Sequence, residues 1–319
     1  MVETKSNFDS PSDGEDRKGE DIKRFPPFKK EETKKSIFFL DSGAFTLYAN
    51  HLKGKRTSRY EFFDKEEFWK YVDEYALFVK SNIEYIEHYA NVDVIHNPQK
   101  TWEVQKYLEN KHGLNPVPVV HVGSDISWVQ KYINTGYSYI GIGGAAKRNT
   151  KNAYMDWADH LFNFICPPPY YTPIIKTHGF AITSFQHMIR YPWWSVDSTS
   201  WTKYAAFGWV CIPHKRGGEF LCDLENLPYV ISFSRDSSFR NGHYYSVPTK
   251  AKEVLHSWLE KIDIPLGKMG TDQKIIEEGV LNHYGTRAAA NILFFEFLQK
   301  SLPAYPGKFE KQIKKGLIF

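Results

Sequence analysis

Val117-Pro-Val-Val-His-Val-Gly-Ser-Asp-Ile-Ser-Trp-Val-Gln-Lys-Tyr-Ile-Asn-Thr-Gly-Tyr-Ser-Tyr-Ile-Gly-Ile-Gly-Gly144 is the stretch that decides the fold. Its first six residues are β-branched and apolar around one histidine, the composition of a short buried strand. Apolar residues at Ile126, Val129 and Ile133 then follow helical spacing, and Tyr139-Ile-Gly-Ile142 returns to strand before the Gly143-Gly144 break. Two strands joined through a helix run parallel, because the helix carries the chain back to its starting end.

The same alternation extends in both directions. Upstream, a compact apolar run over 36–41 precedes a helix over 65–80 that repeats Phe68, Trp69, Val72, Tyr75, Ala76 and Val79. A strand over 83–94 follows, and Pro98 opens a helix to about residue 111. Downstream come a helix over 154–165, a strand over 173–177 ending in His178-Gly179-Phe180, a short helix over 184–190 and a strand running into Asp197. Residues 205–248 lose this rhythm and read as a β-hairpin turning at Lys215-Arg-Gly-Gly218 and a further strand; 251–262 and 272–298 read as helices. The expectation is an α/β protein, a (β/α)8 TIM-like barrel with an inserted hairpin and C-terminal helices. An open doubly wound sheet competes, but no G-x-G-x-x-G or phosphate-loop motif follows any strand.

The polar residues of interest fall at strand ends: Asp41 with Ser42 and Gly43, then Asp93, His121, Gly143 and Gly144, His178 and Asp197. In a barrel all of them open onto one face. Asp197 lies in Tyr191-Pro-Trp-Trp-Ser-Val-Asp-Ser-Thr-Ser-Trp201, an aromatic and apolar setting in which a carboxylate must be hydrogen-bonded or put to use. A turn-capping Asp before Ser and Thr is the plain alternative, and the residues alone leave the two even. Likewise Asp41-Ser-Gly is a turn whether or not a ligand sits above it.

Composition sets outer bounds. The 319 residues are 42% hydrophobic and 16% aromatic, enough for one large domain with a dense core. A net charge of +4 permits a polyanionic partner without requiring one. Three cysteines, Cys166, Cys211 and Cys222, stand far apart with no paired spacing, which argues for a reducing compartment and against structural zinc. No metal and no cofactor are expected, and with neither a membrane span nor a signal-peptide apolar region the expected location is cytoplasmic. Residues 1–35, polar and charged, are expected to form a mobile tail before a single domain over 36–319.

Asp41-Ser-Gly-Ala-Phe45, Gly141-Ile-Gly-Gly-Ala145, His178-Gly-Phe180 and Ser195-Val-Asp-Ser198 occur in the order found in the tRNA-guanine transglycosylase superfamily, and the resemblance spans residues 36 to about 300. The chain most resembles the phage and bacterial (DpdA-like) branch that places 7-deazaguanines in DNA, where a segment of the 191–201 type is typical. The resemblance implies a barrel that exchanges guanine in a polynucleotide for a free 7-deazaguanine base. It matches Asp197 to the nucleophile at C1′ and Asp41 to the general acid/base. Asp93 matches a base-binding carboxylate, and Gly143 and Gly144 a backbone turn against the base. His121 takes the place of a Gln common on the third strand, and Ser42, Gly43 and His178 complete the implied substrate site. Tyr191, Trp193, Trp194 and Phe180 are candidate stacking surfaces for a flipped base, with core packing the alternative for each ring.

The chain also departs from the family. Asp-Ser-Gly-Gly-Phe/Tyr-Gln is here Asp41-Ser-Gly-Ala-Phe-Thr46, and the Cys-rich zinc motif and a separate C-terminal RNA-binding domain are missing. Those absences favour DNA over tRNA as the partner. A tRNA-directed enzyme, a non-catalytic nucleic-acid-binding barrel and a sugar hydrolase are the competing readings.

Overall fold

The computed structural model describes residues 38–52, 61–144, 151–234, 242–272, 274–302 and 304–309. The expected tail over 1–35 and Ala145 of the glycine motif lie outside the described residues. The chain packs as two compact units divided between Ile142 and Gly143.

In the N-terminal unit strands and helices alternate. β1 (Phe38–Leu40) leads to α1 (Ala44–Leu52), a 3-10 turn (Glu61–Asp64) and α2 (Glu66–Ser81). Then come β2 (Ile86–Tyr89), α3 (Pro98–His112), β3 (Val119–His121), α4 (Ser127–Asn134) and β4 (Tyr139–Gly143). β1 and β2 pair in parallel, with Phe39 opposite His88 and Leu40 opposite Tyr89. A parallel bridge from Ala90 to Val117 carries the ladder on, and β3 lies beside β4, where Gly141 N donates to Pro118 O at 2.8 Å. The Phe39 and Tyr139 rings nonetheless meet edge to face at 6.1 Å, and each also touches His88. Strands lie nearly 5 Å apart, so a flat sheet would hold β1 and β4 about 14 Å apart, and the contact requires this sheet to curl.

The helices form for the reasons their spacing gives. α2 buries Phe68, Tyr71, Val72, Tyr75, Ala76 and Val79 on one face, each large side chain contributing roughly 1.5–3 kcal/mol through lost apolar exposure. α3 starts at Pro98, whose missing N–H costs nothing in the first turn; Asn97 Oδ1 accepts from Lys100 N at 3.0 Å, and Gly113 ends the helix at φ +64°.

The C-terminal unit begins as the same alternation. α5 (Lys151–Ile165), β5 (Lys176–Gly179), α6 (Phe185–Arg190), β6 (Ser195–Val196) and α7 (Ser200–Ala206) follow in order, and β5 pairs with β6 in parallel, His178 opposite Ser195. It then changes character. β7 (Trp209–Ile212) pairs antiparallel with β10 (Tyr229–Ser232), while β8 (His214–Arg216) and β9 (Glu219–Leu221) form the expected hairpin around Gly217 and Gly218, both at positive φ. The link between β7 and β10 is taken up by the β8 and β9 hairpin rather than by a crossover helix.

α8 (Thr249–Lys261) agrees with the spacing, but the helix expected over 272–298 does not start until α9 (Tyr284–Ser301). Ahead of it β11 (Lys268–Met269) and β12 (Ile275–Glu277) form a small antiparallel hairpin. Its base is a backbone crossing: a Cβ on Gly279 would come within 2.1 Å of Gly267 N, and Asn282 binds Gly279 N and Glu277 O, leaving no room for a helix there. Asn291, fully buried in α9, accepts from Cys211 N at 2.9 Å and donates to Trp209 O and Trp201 O, tying α9 to β7 and α7. Among the described residues no helix is long and apolar enough to cross a membrane.

Candidate active site

Each unit carries a cluster at its strand ends. In the N-terminal unit β1 delivers Asp41, exposed, into the turn that opens α1. Ser42 beside it is buried, and its carbonyl accepts a 2.6 Å hydrogen bond from the Tyr71 hydroxyl. Gly43 has φ +69°, and an added Cβ would stand 2.8 Å from that hydroxyl, so the Ser-Gly pair is dictated both by backbone conformation and by space. Tyr75, one turn along α2, donates to Ala90 O at 2.7 Å. Burial pushes its phenol well up, and the Asp41 and Asp93 carboxylates both add to the effect, which brings these two acids within electrostatic reach of one buried hydroxyl.

Asp93 follows β2. Its Oδ2 lies 2.7 Å from His121 Nε2 at the end of β3, with side-chain exposures of 14% and 5%. The loop that holds it is pinned by the first turn of α3: Thr101 Oγ1 accepts from Val94 N at 2.9 Å and donates to Val94 O, while Asn91 Nδ2 donates to Thr101 O. His96 in the same loop has φ +63° and its ring lies 6.4 Å from that of His121. A non-glycine residue in the left-handed region is strained, and such strain gathers at functional sites. The sequence carries no mark of this, since His is not a residue that signals positive φ as Gly does.

In the C-terminal unit Asp197 follows β6, and its Oδ1 accepts from Ala181 N at 2.9 Å. His178 on β5 reaches the same oxygen through Nε2 at 3.3 Å, while its Nδ1 lies 2.7 Å from Ser195 Oγ. The His178 side chain is 2% exposed against 37% for Asp197. Among the described residues no hydrogen bond reaches Asp197 Oδ2. One oxygen is therefore fixed and the other is open. Ala181 owes its orientation to a left-handed backbone, φ +53°, another non-glycine residue held in that region. Gly179 has no space for a side chain, its added Cβ falling 2.6 Å from Ile182 Cγ1.

Ser198, not Asp197, makes the turn-capping contacts: its Oγ accepts from Ser200 N at 3.1 Å and donates to Ser200 Oγ. Ser195 and Asp197 are two apart, the period that puts both on one side of a strand, and this spacing could have exposed their shared dependence on His178. Gly143 is buried at the end of β4 and Gly144, exposed, turns the chain at φ +87°. Of the four aromatic candidates, Tyr191 is core: it is buried, stacked on Phe162 at 4.7 Å, and donates to Asp159 Oδ1. Trp193 donates to His187 O and packs edge-on against Phe162. Trp194 is 42% exposed with the Lys176 ammonium 3.9 Å from its ring, and Phe180 packs edge-on to His178. All three cysteines are buried free thiols, and burial pushes those of Cys166 and Cys222 up to about 12. Among the described residues no group of three or more His, Cys, Asp or Glu side chains is placed to hold a metal ion. The chain matches no protein-family model, no curated protein and no solved structure.

Proposed function

We propose that this chain is a base-exchange transglycosylase that replaces guanine in DNA by a 7-deazaguanine derivative. The observation that carries the reading is Asp197: one carboxylate oxygen held by a backbone N–H and a buried histidine, the other open, at the end of a parallel strand. Such a carboxylate can attack a sugar carbon. Asp197 Oδ2 would form a bond to C1′ while the C1′–N9 bond breaks, with Asp41 supplying a proton to the departing guanine. The incoming base, deprotonated by Asp41, would then displace Asp197 and restore the carboxylate. Both steps pass through an oxocarbenium-like state that an adjacent carboxylate stabilises. Asp93, paired with His121, is suited to accept the N–H groups of a purine edge.

The reading rests on a (β/α)8 barrel. The alternating parallel strands and the curl marked by Phe39 and Tyr139 support that architecture. DNA is preferred to tRNA because the cysteines, separate and buried, offer nothing like the zinc motif of the tRNA-directed enzymes. A duplex substrate must have its guanine flipped out, at a cost of a few kcal/mol.

Purified protein incubated with labelled guanine or a 7-deazaguanine and either DNA or tRNA is expected to label DNA; label in tRNA alone would reject the DNA assignment. Asp197→Asn is expected to abolish a covalent protein-DNA adduct, read by denaturing gel and mass spectrometry. The Ser195, His178 and Asp197 contact also has the composition of a hydrolase triad, but its ring is reversed, with Nδ1 toward the serine. The two readings separate cleanly: Ser195→Ala slows base exchange here without abolishing it and would be inactive in a serine hydrolase.

A further inference from the structure

We infer that His178 is the positioning residue that makes Asp197 a good leaving group, so that the covalent intermediate turns over instead of persisting. The inference rests on the exchange reading and assigns to His178 a task other than touching the base. The ring is 2% exposed, and both nitrogens are directed at protein groups: Nδ1 at Ser195 Oγ, 2.7 Å away, and Nε2 at Asp197 Oδ1, 3.3 Å away. A carboxylate oxygen only accepts, so the contact with Asp197 Oδ1 puts the proton on Nε2, which in a neutral ring leaves Nδ1 to accept from Ser195 Oγ. Pairing of β5 with β6, His178 opposite Ser195, fixes this orientation through the backbone. The 3.3 Å separation is at the long end for such a contact, as catalytic contacts commonly are before substrate binds.

The consequence follows from where the charge goes. When Oδ2 bonds to C1′, Oδ1 becomes the carbonyl oxygen of a glycosyl ester and loses most of its negative charge. When the incoming base attacks C1′, the C1′–Oδ2 bond breaks, its electron pair returns to the carboxylate, and Oδ1 is charged again. Donors on Oδ1 favour the charged form. They therefore help the second half of the exchange, expulsion of Asp197, more than the first. Ala181 N–H and His178 Nε2–H together act as a fixed cradle for the carboxylate that departs.

The test compares His178→Asn with His178→Gln. The Asn amide can stand in for Nδ1 toward Ser195 but cannot reach Asp197, whereas the Gln amide nitrogen extends to about the position of Nε2. Rapid-quench gels would follow adduct and exchanged product with guanine-containing DNA and a free 7-deazaguanine. For His178→Asn the expectation is exchange slowed about 10- to 100-fold, the range of one charge-assisted hydrogen bond, with the adduct accumulating and KM for DNA unchanged. His178→Gln is expected to restore turnover. Adduct and exchange falling together, with no rescue by Gln, would mean that His178 only supports the fold and would overturn the inference. Should His178→Asn not fold, Ser195→Ala loosens the ring without removing it and is expected to raise the adduct to a smaller extent; wild-type kinetics there would also overturn it. A wild-type protein that forms no adduct overturns the exchange reading and this inference together, whereas a wild-type adduct with no accumulation in His178→Asn overturns this inference alone.

Discussion

Gly43 shows how tightly the Asp41 turn is specified. Its φ of +69° disfavours any L side chain, and the Tyr71 hydroxyl occupies the space a Cβ would need. Gly43→Ala is expected to cost about 2 kcal/mol in chemical denaturation, combining backbone strain with the clash. Tyr71→Phe removes the clashing oxygen along with its bond to Ser42 O, so the double variant should be less destabilised than the sum by about 0.5–1 kcal/mol. Strict additivity would show that the hydroxyl does not determine the glycine. At this scale the strand-end placement of the candidate residues was legible, since Asp41, Asp93, His121, His178 and Asp197 each punctuate a short apolar run. Ala181 was not, because its contribution is a backbone N–H aimed by an unusual φ, and neither property is written in an alanine side chain.

Among the elements, α2 and α3 are joined by a polar knot. Asp73 of α2 accepts from Tyr107 Oη and lies 2.7 Å from His112 Nε2, both on α3, and Lys111 reaches both its oxygens. Burial alone would raise the Asp73 pKa, but the contacts from His112, Lys111 and Tyr107 outweigh it and hold the carboxyl below its ordinary value of 3.8. Glu109 of α3 is likewise held low: burial is outweighed by Lys106, Tyr137 and Gln105. A carboxylate whose folded pKa is depressed contributes stability that is complete above the unfolded pKa and lost as pH falls through the folded one. Thermal melting followed down from about pH 6 to about pH 3 should therefore show a falling acid limb, shallower in Asp73→Asn. An identical limb in the variant would remove Asp73 from the account. Both helices were plain in the sequence from their apolar spacing and the Pro98 start. The stretch before α9 was read into the helix that follows it: Ile275 and Ile276 are β-branched and suit the strand they form, and the close approach of Gly267 and Gly279 creates a turn that local composition does not encode.

For the whole molecule, the alternation of strands and helices was readable because a parallel link needs a crossover, here supplied by helices, and the hairpin around Gly217 and Gly218 was readable from its turn residues, but the pairing beyond it was not. The antiparallel pairing of β7 with β10 is a long-range choice made by the chain after the β8 and β9 hairpin, and no local pattern announces it. Under the proposed exchange, Asp93→Asn should raise KM for the free base about 10- to 100-fold, by replacing a pure acceptor with a half-donor, while the adduct formed by Asp197 survives. Steady-state titration of the free base measures this directly, and an unchanged KM would remove Asp93 from base recognition.

The burial of Cys166, Cys211 and Cys222 also has a practical side. Thiols pushed so far up by their surroundings offer almost no thiolate at neutral pH, so the native chain is close to silent toward maleimides. A cysteine introduced at the exposed Thr46 or Thr199 would carry a single spin label without first stripping the protein of its own sulfur chemistry. The mobility of that label would then report on the Asp41 turn or the Asp197 turn by itself, readable in solution with and without DNA.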